Sequence, residues 1–357
     1  MTMEENSIRY PIVIPAYKPT EKLVVLCRGL IELGIRDVVI IDDGSGEQYR
    51  EIFSRIREEF PFRVIVHGTN QGKGRALKDG FAYLLEDKNV KGCVTADADG
   101  QHRPEDIHRC LQQLEVETGK MIMGVRDFSD KIIPLTYRVW NNATKIIFSY
   151  IYGSKLPDCL CGLRGLPRSF MEKIANLPGE RYEYEINVLI EATQTIGVLD
   201  IPIATIFDEK GHFTSRDSFR IYRIFLKVFL TFIFSSVSST VIDLTLFHFS
   251  CNFLRDRFPL AYITYATIIA RVVSATYNYV VNKRVVFKDQ TDHRHSGLKF
   301  LILSVLHLAI SAFAVTGLVT MIKGVPETLL KAVVDTTLFF VNYPIQQKYV
   351  FGDKSEQ

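Results

Sequence analysis

The chain has 357 residues, enough for two domains, and its formal net charge is only +3. So small a charge argues against a dedicated nucleic-acid-binding protein, and 6 cysteines without a CxxC pair argue against a zinc site or a disulfide framework. Residues 1 to about 215 have a soluble composition, whereas long apolar runs dominate the rest. No signal peptide is evident at the N-terminus, so we expect the first domain to remain in the cytoplasm.

The first part of the chain alternates short apolar runs with segments of helical spacing. The predicted strands are 12–14, 38–41, 62–66 and 90–94, and the predicted helices are 21–33, 48–60 and 75–85. This alternation predicts an α/β domain, Rossmann-like in having a mostly parallel sheet with right-handed crossovers. The strands are continuously apolar, which indicates a sheet covered on both faces.

Polar clusters follow the predicted strands. They are Pro15-Ala16-Tyr17, Asp42-Asp43, Gly72-Lys73-Gly74 and Asp97-Ala98-Asp99. Because the carboxyl ends of parallel strands meet at one edge, we expect the clusters to converge there on one ligand site. Asp97 and Asp99, two apart on extended backbone, suit a shared hard cation, although an ordinary turn explains that pair equally well when it is taken alone.

Lys73 lies in a glycine-rich turn before a predicted helix, a position that suits phosphate binding. That turn is neither a Walker loop nor a dinucleotide-binding fingerprint, because GxxxxGK[ST] and GxGxxG are both absent. The phosphate-binding interpretation therefore depends on what the neighbouring loops contribute.

The same clusters carry a family resemblance. It extends to Asn70-Gln71-Gly72-Lys73-Gly74, Asp97-Ala98-Asp99-Gly100-Gln101-His102, Gly124-Val125-Arg126 and Asp158-Cys159-Leu160-Cys161-Gly162-Leu163-Arg164. Over roughly residues 8–215 the chain resembles the family 2 glycosyltransferases with the GT-A fold. Its best likeness is to the branch that makes polyprenyl-phosphate sugars, which includes the dolichyl-phosphate mannose synthases. No QxxRW segment is present, which argues against a processive polysaccharide synthase.

The resemblance implies transfer of a hexose from a nucleotide-diphosphate sugar to polyprenyl (undecaprenyl) phosphate, giving a lipid-linked sugar for modification of cell-envelope glycans. A UDP-sugar is favoured as donor, and GDP-mannose is left open. Mg²⁺ or Mn²⁺ is expected at Asp97 and Asp99. The residues assigned to nucleotide-sugar binding are Pro15, Ala16, Tyr17, Asp42, Asp43, Lys73, Asp97 and Gln101, and those assigned to catalysis include Asp99, Arg126 and Arg164.

A phosphate acceptor changes the chemistry that the site needs. Because the phosphate is already anionic at neutral pH, its oxygen attacks the sugar without a strong general base, and cations that hold two anions together matter more. Glu185 is a further catalytic candidate, with Glu183 beside it, although both also fit the acidic first turn of a helix. Gly211 to Ser218 departs from the family's loop before the membrane, which weakens the assignment of acceptor contacts there.

The second part of the chain predicts an all-α, four-helix transmembrane domain. Four apolar stretches, at 226–249, 260–281, 299–322 and 326–346, are each long enough to cross about 30 Å of hydrocarbon. The distribution of Lys and Arg places both termini and the first domain on the cytoplasmic side of a multi-pass inner-membrane protein. The predicted domains are a catalytic domain at 1–215, an interfacial helix at 216–227 and the membrane domain at 228–352.

The interfacial segment carries Arg216, Arg220 and Arg223. They are predicted either to bind the lipid phosphate or to serve only as a membrane anchor.

An internal repeat aligns Asn278–Phe287 with Asn342–Phe351. This part resembles the GtrA-like family, which is associated with moving polyprenyl-linked sugars across membranes. Charges within the spans, at Asp243, Arg271 and Asp335, are expensive in lipid. They predict either a structural ion pair, with Arg271 facing Asp335, or a path for a charged headgroup.

The expected partners are a nucleotide-diphosphate sugar, polyprenyl phosphate and the membrane, with no nucleic acid and with a homo-oligomer left open. One alternative is transfer to a diacylglycerol-type lipid, whose neutral hydroxyl would need Glu185 as a base. Another is a carrier of lipid-linked sugar whose first domain only binds the donor.

Overall fold

The computed structural model describes residues 9–128, 133–206, 215–287, 289, 293–322, 324–325 and 327–351. The chain divides into two compact units. The first comprises Met1–Ser149 with Ser154–Ile224, and the second comprises Tyr150–Gly153 with Phe225–Gln357.

The first unit is built on a sheet of 7 strands in the order β3-β2-β1-β4-β6-β5-β7. The strands are β1 Ile12–Ala16, β2 Val38–Asp42, β3 Arg63–Val66, β4 Gly92–Thr95, β5 Met121–Arg126, β6 Arg164–Pro167 and β7 Val198–Ile203. The helices are α1 Glu21–Glu32, α2 Arg50–Glu59, α3 Lys73–Leu85, α4 Pro104–Val116, α5 Leu135–Tyr152 (up to Ser149), α6 Arg168–Ile174 and α7 Tyr182–Thr195. All pairings are parallel except those that β6 makes with β4 and β5, so the predicted mostly parallel α/β sheet is confirmed.

The strand directions determine which edge of the sheet carries the candidate site residues. β1, β2, β3, β4 and β5 run the same way and end at one edge of the sheet, and antiparallel β6 begins there because Arg164 pairs with Thr95. Residues of β1, β2 and β4 are buried throughout, as continuously apolar strands require. The polar residues that follow these strands therefore share one edge, as the sequence predicted.

Helix α3 begins at Lys73, two residues before the predicted start, and the reason is the conformation of Gly72. Its φ is +108°, which a side chain would strain, and a Cβ there would lie 2.3 Å from the carbonyl oxygen of Glu180. This close approach seats the first turn of α3 against the segment before α7. Lys73 consequently belongs to the helix rather than to the loop.

The second unit contains helices α8 Ser215–Leu254 (from Phe225 onward), α9 Tyr262–Val281, α10 His293–Met321 and α11 Glu327–Ile345. They coincide with the four apolar stretches, and α8 also runs without a break through the predicted interfacial segment 216–227. Within the described residues, one helix, Phe219–Leu254, is long and apolar enough to cross a membrane by length and composition. The count of four crossings remains a prediction.

The internal repeat is visible as a pseudo-two-fold arrangement. Two π-helical segments, Asn282–Val286 and Gln346–Val350, close α9 and α11, and Asn282 Nδ2 donates to Gln346 Oε1 at 3.0 Å. The rings of Phe287 and Phe351 stack at 5.0 Å between centroids. At these two positions of the repeat, a residue thus contacts its own counterpart, and both copies end in the same π-helical segment.

Candidate active site

A half-buried lysine joins two carboxylates at the carboxyl edge of the sheet. Lys73 Nζ lies 2.6 Å from Asp97 Oδ1, just beyond β4, and 2.8 Å from Glu185 Oε2 in the first turn of α7. Burial opposes the charge of Lys73, but Asp97 and Glu185 outweigh it, so the pKa of Lys73 is raised. The predicted phosphate-facing lysine is therefore held by two acids.

The contact between α3 and the start of α7 positions this lysine. The backbone N–H of Arg75 donates to the carbonyl of Glu180 at 3.0 Å, and a Cβ on Gly74 would lie 2.5 Å from Tyr184 Cβ. Only glycine allows the two backbones to approach so closely. The two glycines that flank Lys73 are thus explained by packing against α7.

Asp97 is ionised and tightly surrounded. Burial alone would raise its pKa, but Lys73 and other neighbouring cationic groups overcome that effect and lower the pKa of Asp97 to about 2. Gly162 comes so close that a Cβ there would lie 2.5 Å from Asp97 Oδ2. The Gly162 carbonyl also accepts a hydrogen bond from Thr95 Oγ1 at 2.8 Å, which fixes the segment before β6 against β4.

His102 supports Asp97 as a neutral ring. Its Nδ1 accepts from the backbone N–H of Asp97 at 3.1 Å, so the ring proton lies on Nε2, which faces Cys161 Sγ at 3.7 Å. Burial lowers the pKa of His102 to about 4. Because both ring nitrogens are engaged in this way, His102 acts as a brace rather than as a metal ligand.

Asp99 and Gln101 form the turn after Asp97. The backbone N–H of Gln101 donates to Asp99 Oδ1 at 3.0 Å, and Gly100 between them has a φ of +81°. Asp97, Asp99 and Gln101 are all half-buried. The carboxylate pair is therefore partly accessible, as a site that receives a ligand must be.

Arg126 lies at the end of β5 and is fixed by a buried acid. Its Nε donates to Asp158 Oδ2 at 2.7 Å and its Nη2 to Oδ1 at 3.2 Å. Burial opposes the charge on Arg126, but Asp158 outweighs it and the pKa of Arg126 is raised. The side chain keeps 17% of its surface exposed, so this cation is oriented and still partly accessible at the edge.

Arg164, at the start of β6, is more deeply enclosed. Its Nε donates to the carbonyl of Cys161 at 3.0 Å and its Nη1 to the carbonyl of Glu185 at 2.6 Å. These two hydrogen bonds fix the backbone of Glu185 relative to that of Cys161. Direct participation of Arg164 in catalysis remains a prediction.

Asp43 holds the Asn70–Gly72 loop. Its carboxylate accepts from Asn70 Nδ2 and from the backbone N–H groups of Gln71 and Gly72 at 2.8–3.0 Å, and it also faces His67 Nδ1 at 2.9 Å. Asp42 accepts from the backbone N–H of Ser45 at 2.9 Å. Both acids are buried and organise loops, and their contact with a nucleotide remains a prediction.

The remaining predicted residues of the first unit lie at the end of β1 and at the start of α7. Pro15 and Ala16 are buried at the end of β1, whereas Tyr17 is 37% exposed at the edge. Glu183 caps the start of α7, because its Oε1 accepts from the backbone N–H groups of Glu180 and Arg181. Glu185 is thus the member of the Glu183/Glu185 pair that reaches Lys73.

The three arginines predicted to bind lipid phosphate lie on α8. Arg220 is half-buried and Arg223 is exposed, whereas the side chains of the whole Gly211-to-Ser218 segment, Arg216 included, lie outside the described residues. Their assignment to lipid phosphate remains a prediction.

Asp158 and Gly162 are functional candidates that the sequence reasoning did not select. Both lie in the segment from Asp158 to Arg164 that carried part of the resemblance. Asp158 orients Arg126, and Gly162 leaves room for the Asp97 carboxylate. The signal was present in the motif, but the partners of the two residues depend on the fold.

The described residues contain no group of three or more His, Cys, Asp or Glu side chains placed to hold a metal ion. The chemistry of the donor set nonetheless fits one, because Mg²⁺ is typically held by one or two carboxylates together with substrate phosphates and water. Asp97 and Asp99 would be those carboxylates.

Comparison with known proteins defines the class. Residues 12–175 match Glycosyl transferase family 2, and residues 213–351 match the GtrA/DPMS transmembrane domain. The chain is a glycosyltransferase. It carries a glycosyl transferase family 2 domain and a GtrA/DPMS transmembrane domain.

Three relatives illustrate the likeness. An uncharacterized protein of Methanocaldococcus jannaschii is 29% identical over 65% of this chain and 95% of its own length. The UDP-N-acetylglucosamine–dolichyl-phosphate N-acetylglucosaminyltransferase of Methanococcus voltae is 28% identical over 56% of this chain and 86% of its own. The undecaprenyl-phosphate mannosyltransferase of Micrococcus luteus is 25% identical over 57% of this chain and 86% of its own.

Proposed function

We propose that this glycosyltransferase moves a hexose from a nucleotide-diphosphate sugar to a polyprenyl phosphate at the cytoplasmic face of a bacterial or archaeal inner membrane. One observation carries the proposal: a lysine-paired carboxylate site at the sheet edge shares its chain with a GtrA/DPMS transmembrane domain. The relatives named as dolichyl- and undecaprenyl-phosphate transferases support the same acceptor class.

The donor's diphosphate is anionic and needs cationic groups to stabilise it. Two cationic side chains lie at the edge of the sheet. Negative charge on the leaving diphosphate grows as its bond to the sugar breaks, so fixed cations stabilise the transition state more than the ground state. Arg126 is held in place by Asp158, and Lys73 lies between Asp97 and Glu185. Both cations are oriented before substrate arrives, which lowers the cost of reorganisation during the reaction.

Asp97 and Asp99 would hold a divalent cation, Mg²⁺ or Mn²⁺. When bound, that ion supplies Lewis-acid stabilisation of the leaving diphosphate. Asp97 is already ionised, since its pKa lies at about 2. Lys73 would then be shared between Glu185 and the donor phosphates.

The acceptor determines whether a base is needed. An anionic phosphate oxygen attacks directly, whereas a neutral lipid hydroxyl must lose a proton to a general base. Glu185 is the carboxylate available for that task, but it is engaged by Lys73 in this structure. This pairing favours the phosphate acceptor over a diacylglycerol-type lipid.

A donor panel tests the proposal with the purified full chain. UDP- and GDP-sugars are incubated with undecaprenyl phosphate, with EDTA or with added Mg²⁺ or Mn²⁺, and the lipid extract is analysed for lipid-linked sugar. We expect product from one donor class, abolished by EDTA and restored by metal. Absence of product with every donor would contradict the proposal, and full activity in EDTA would refute its metal dependence.

A further inference from the structure

An arginine of α9 lies on the exterior of the second unit at the depth where a membrane span is most apolar. Arg271 is about 14 Å beyond the start of α9, and Asp243 about 16 Å before the end of α8, at about 1.5 Å per residue. Both lie near the middle of hydrocarbon about 30 Å thick if α8 and α9 cross it. The side chain of Arg271 is nevertheless 74% exposed, against 16% for Asp243.

The contact between these two side chains does not satisfy the arginine. Arg271 Nε lies 3.7 Å from Asp243 Oδ1, which is too far for a hydrogen bond, while that oxygen accepts from Ser274 Oγ at 2.9 Å. Asp243 therefore anchors the inner side of the guanidinium and leaves its outer edge exposed. A guanidinium exposed at this depth is costly unless it meets an anion or another polar group.

A polar seam between α8 and α9 leads to this arginine from Asn278, near the end of α9. It is formed by hydrogen bonds between the two helices: Asn278 Nδ2 to the Ser235 carbonyl at 3.3 Å, Ser238 Oγ with Tyr277 Oη at 3.1 Å, and Ser239 Oγ to the Ser274 carbonyl at 2.9 Å. Such contacts also pack membrane helices. Here they end beside an exposed cation, and hydroxyl and amide groups are suitable partners for a sugar.

We propose that Arg271 binds the phosphate of a polyprenyl-linked lipid inside the bilayer, with the α8–α9 seam next to its headgroup. The proposal rests on the proposed function for the identity of the lipid. Charge complementarity selects the occupant, because guanidinium and phosphate form paired, charge-assisted hydrogen bonds. Asp243 neutralises the arginine when the site is empty and competes with the phosphate when it is filled.

Photolabelling of the full chain in phosphatidylcholine vesicles tests this site without any donor sugar. The probes are benzophenone-tagged farnesyl phosphate and the matching tagged farnesol, and labelled peptides are mapped by mass spectrometry. We expect the phosphate probe, and not the alcohol, to label the segment Tyr262–Val281. Arg271→Gln should lower that labelling about tenfold, as expected for loss of a charge-assisted hydrogen bond.

Two further variants separate charge from structure. Arg271→Lys keeps the cation and should retain most of the labelling, whereas Asp243→Asn removes the competing carboxylate and should increase it. Arg257→Gln is the matched control, because it removes an exposed arginine just beyond α8. It should be labelled as strongly as the wild type.

Three results would overturn the proposal: equal labelling by the alcohol probe, equal labelling of Arg271→Gln, or full competition by phosphatidylglycerol. A dimer that dissociates in Arg271→Gln, seen by light scattering, would also overturn it by showing that a second copy covers the arginine. Failure of sugar transfer with this labelling intact would contradict the proposed function instead.

Discussion

Lys73 donates to Asp97 across 2.6 Å and thereby joins the first turn of α3 to the loop that follows β4. The same ammonium group reaches Glu185 on α7 at 2.8 Å, so one cation holds three separate segments of the chain together. Because the interaction is largely shielded from water, it is stronger than an exposed ion pair. It is the feature from which the behaviour of the site follows.

Replacing Lys73 with methionine keeps the length of the side chain and removes its charge. We expect kcat/KM for sugar transfer to fall about 100-fold, because a preorganised cation next to the diphosphate is lost. Lys88→Met, which changes an exposed lysine far from the edge, is the control and should retain wild-type kinetics. Unchanged transfer by Lys73→Met would show that the ion pairs serve the fold alone.

Gly162→Ala tests the close approach to Asp97. The added Cβ would lie 2.5 Å from Asp97 Oδ2, so the carboxylate must move. A displacement of this size lowers transfer about 100-fold where positioning is catalytic, and it should also raise the Mg²⁺ concentration needed for half-maximal activity. Gly119→Ala provides the matched control, because the added Cβ would lie 3.6 Å from its nearest neighbour, Glu117 Oε1. Wild-type metal dependence in Gly162→Ala would argue against Asp97 as a ligand.

The lowered pKa of His102 predicts that acid decreases the free energy of unfolding. Burial places its pKa at about 4, below the ordinary value of 6.5, so the unfolded chain binds the additional proton as pH falls between those values. The folded state should lose about 3 kcal/mol across this window, at about 1.36 kcal/mol per pKa unit. Thermal unfolding of the full chain in detergent at pH 7 and pH 4 measures the loss. His102→Gln should show a smaller difference between the two pH values, and an equal difference would exclude His102 as its source.

Asp158→Asn should leave the Arg126 charge without its buried partner. We expect a loss of about 3 kcal/mol in stability, as for other broken buried pairs, together with reduced transfer. Glu59→Gln is the contrast, because it weakens ion pairs whose side chains are 35–58% exposed and should cost less than about 1 kcal/mol. Equal melting temperatures for Asp158→Asn and the wild type would contradict the assigned role of this acid.

The assignment of Arg126 and Arg164 to the site rests on the family resemblance, because neither β5 nor β6 is predicted from the sequence. The convergence of Asp43, Lys73 and Asp97 at one edge could be predicted from sequence, because strand direction alone determines which ends of parallel strands meet. The pairing of Lys73 with Glu185 could not, because it depends on how α3 packs against α7. The same limit applies to Gly162, whose importance is visible only once Asp97 faces it.

In the second unit, the repeat predicted related helices, but the prediction that Arg271 faces Asp335 is wrong. Arg271 lies beside Asp243 because α9 packs on α8, and Asp335 Oδ1 accepts from Ser311 Oγ at 2.6 Å.

The identity of the acceptor lipid is the central claim of the proposed function. The decisive measurement offers the purified full chain, its donor and Mg²⁺ an equimolar mixture of undecaprenyl phosphate, undecaprenol and diacylglycerol, and identifies the glycosylated lipid by mass spectrometry. We expect sugar on undecaprenyl phosphate alone, both in the wild type and, with reduced yield, in Glu185→Gln. Sugar on diacylglycerol or undecaprenol, lost in Glu185→Gln, would contradict that claim.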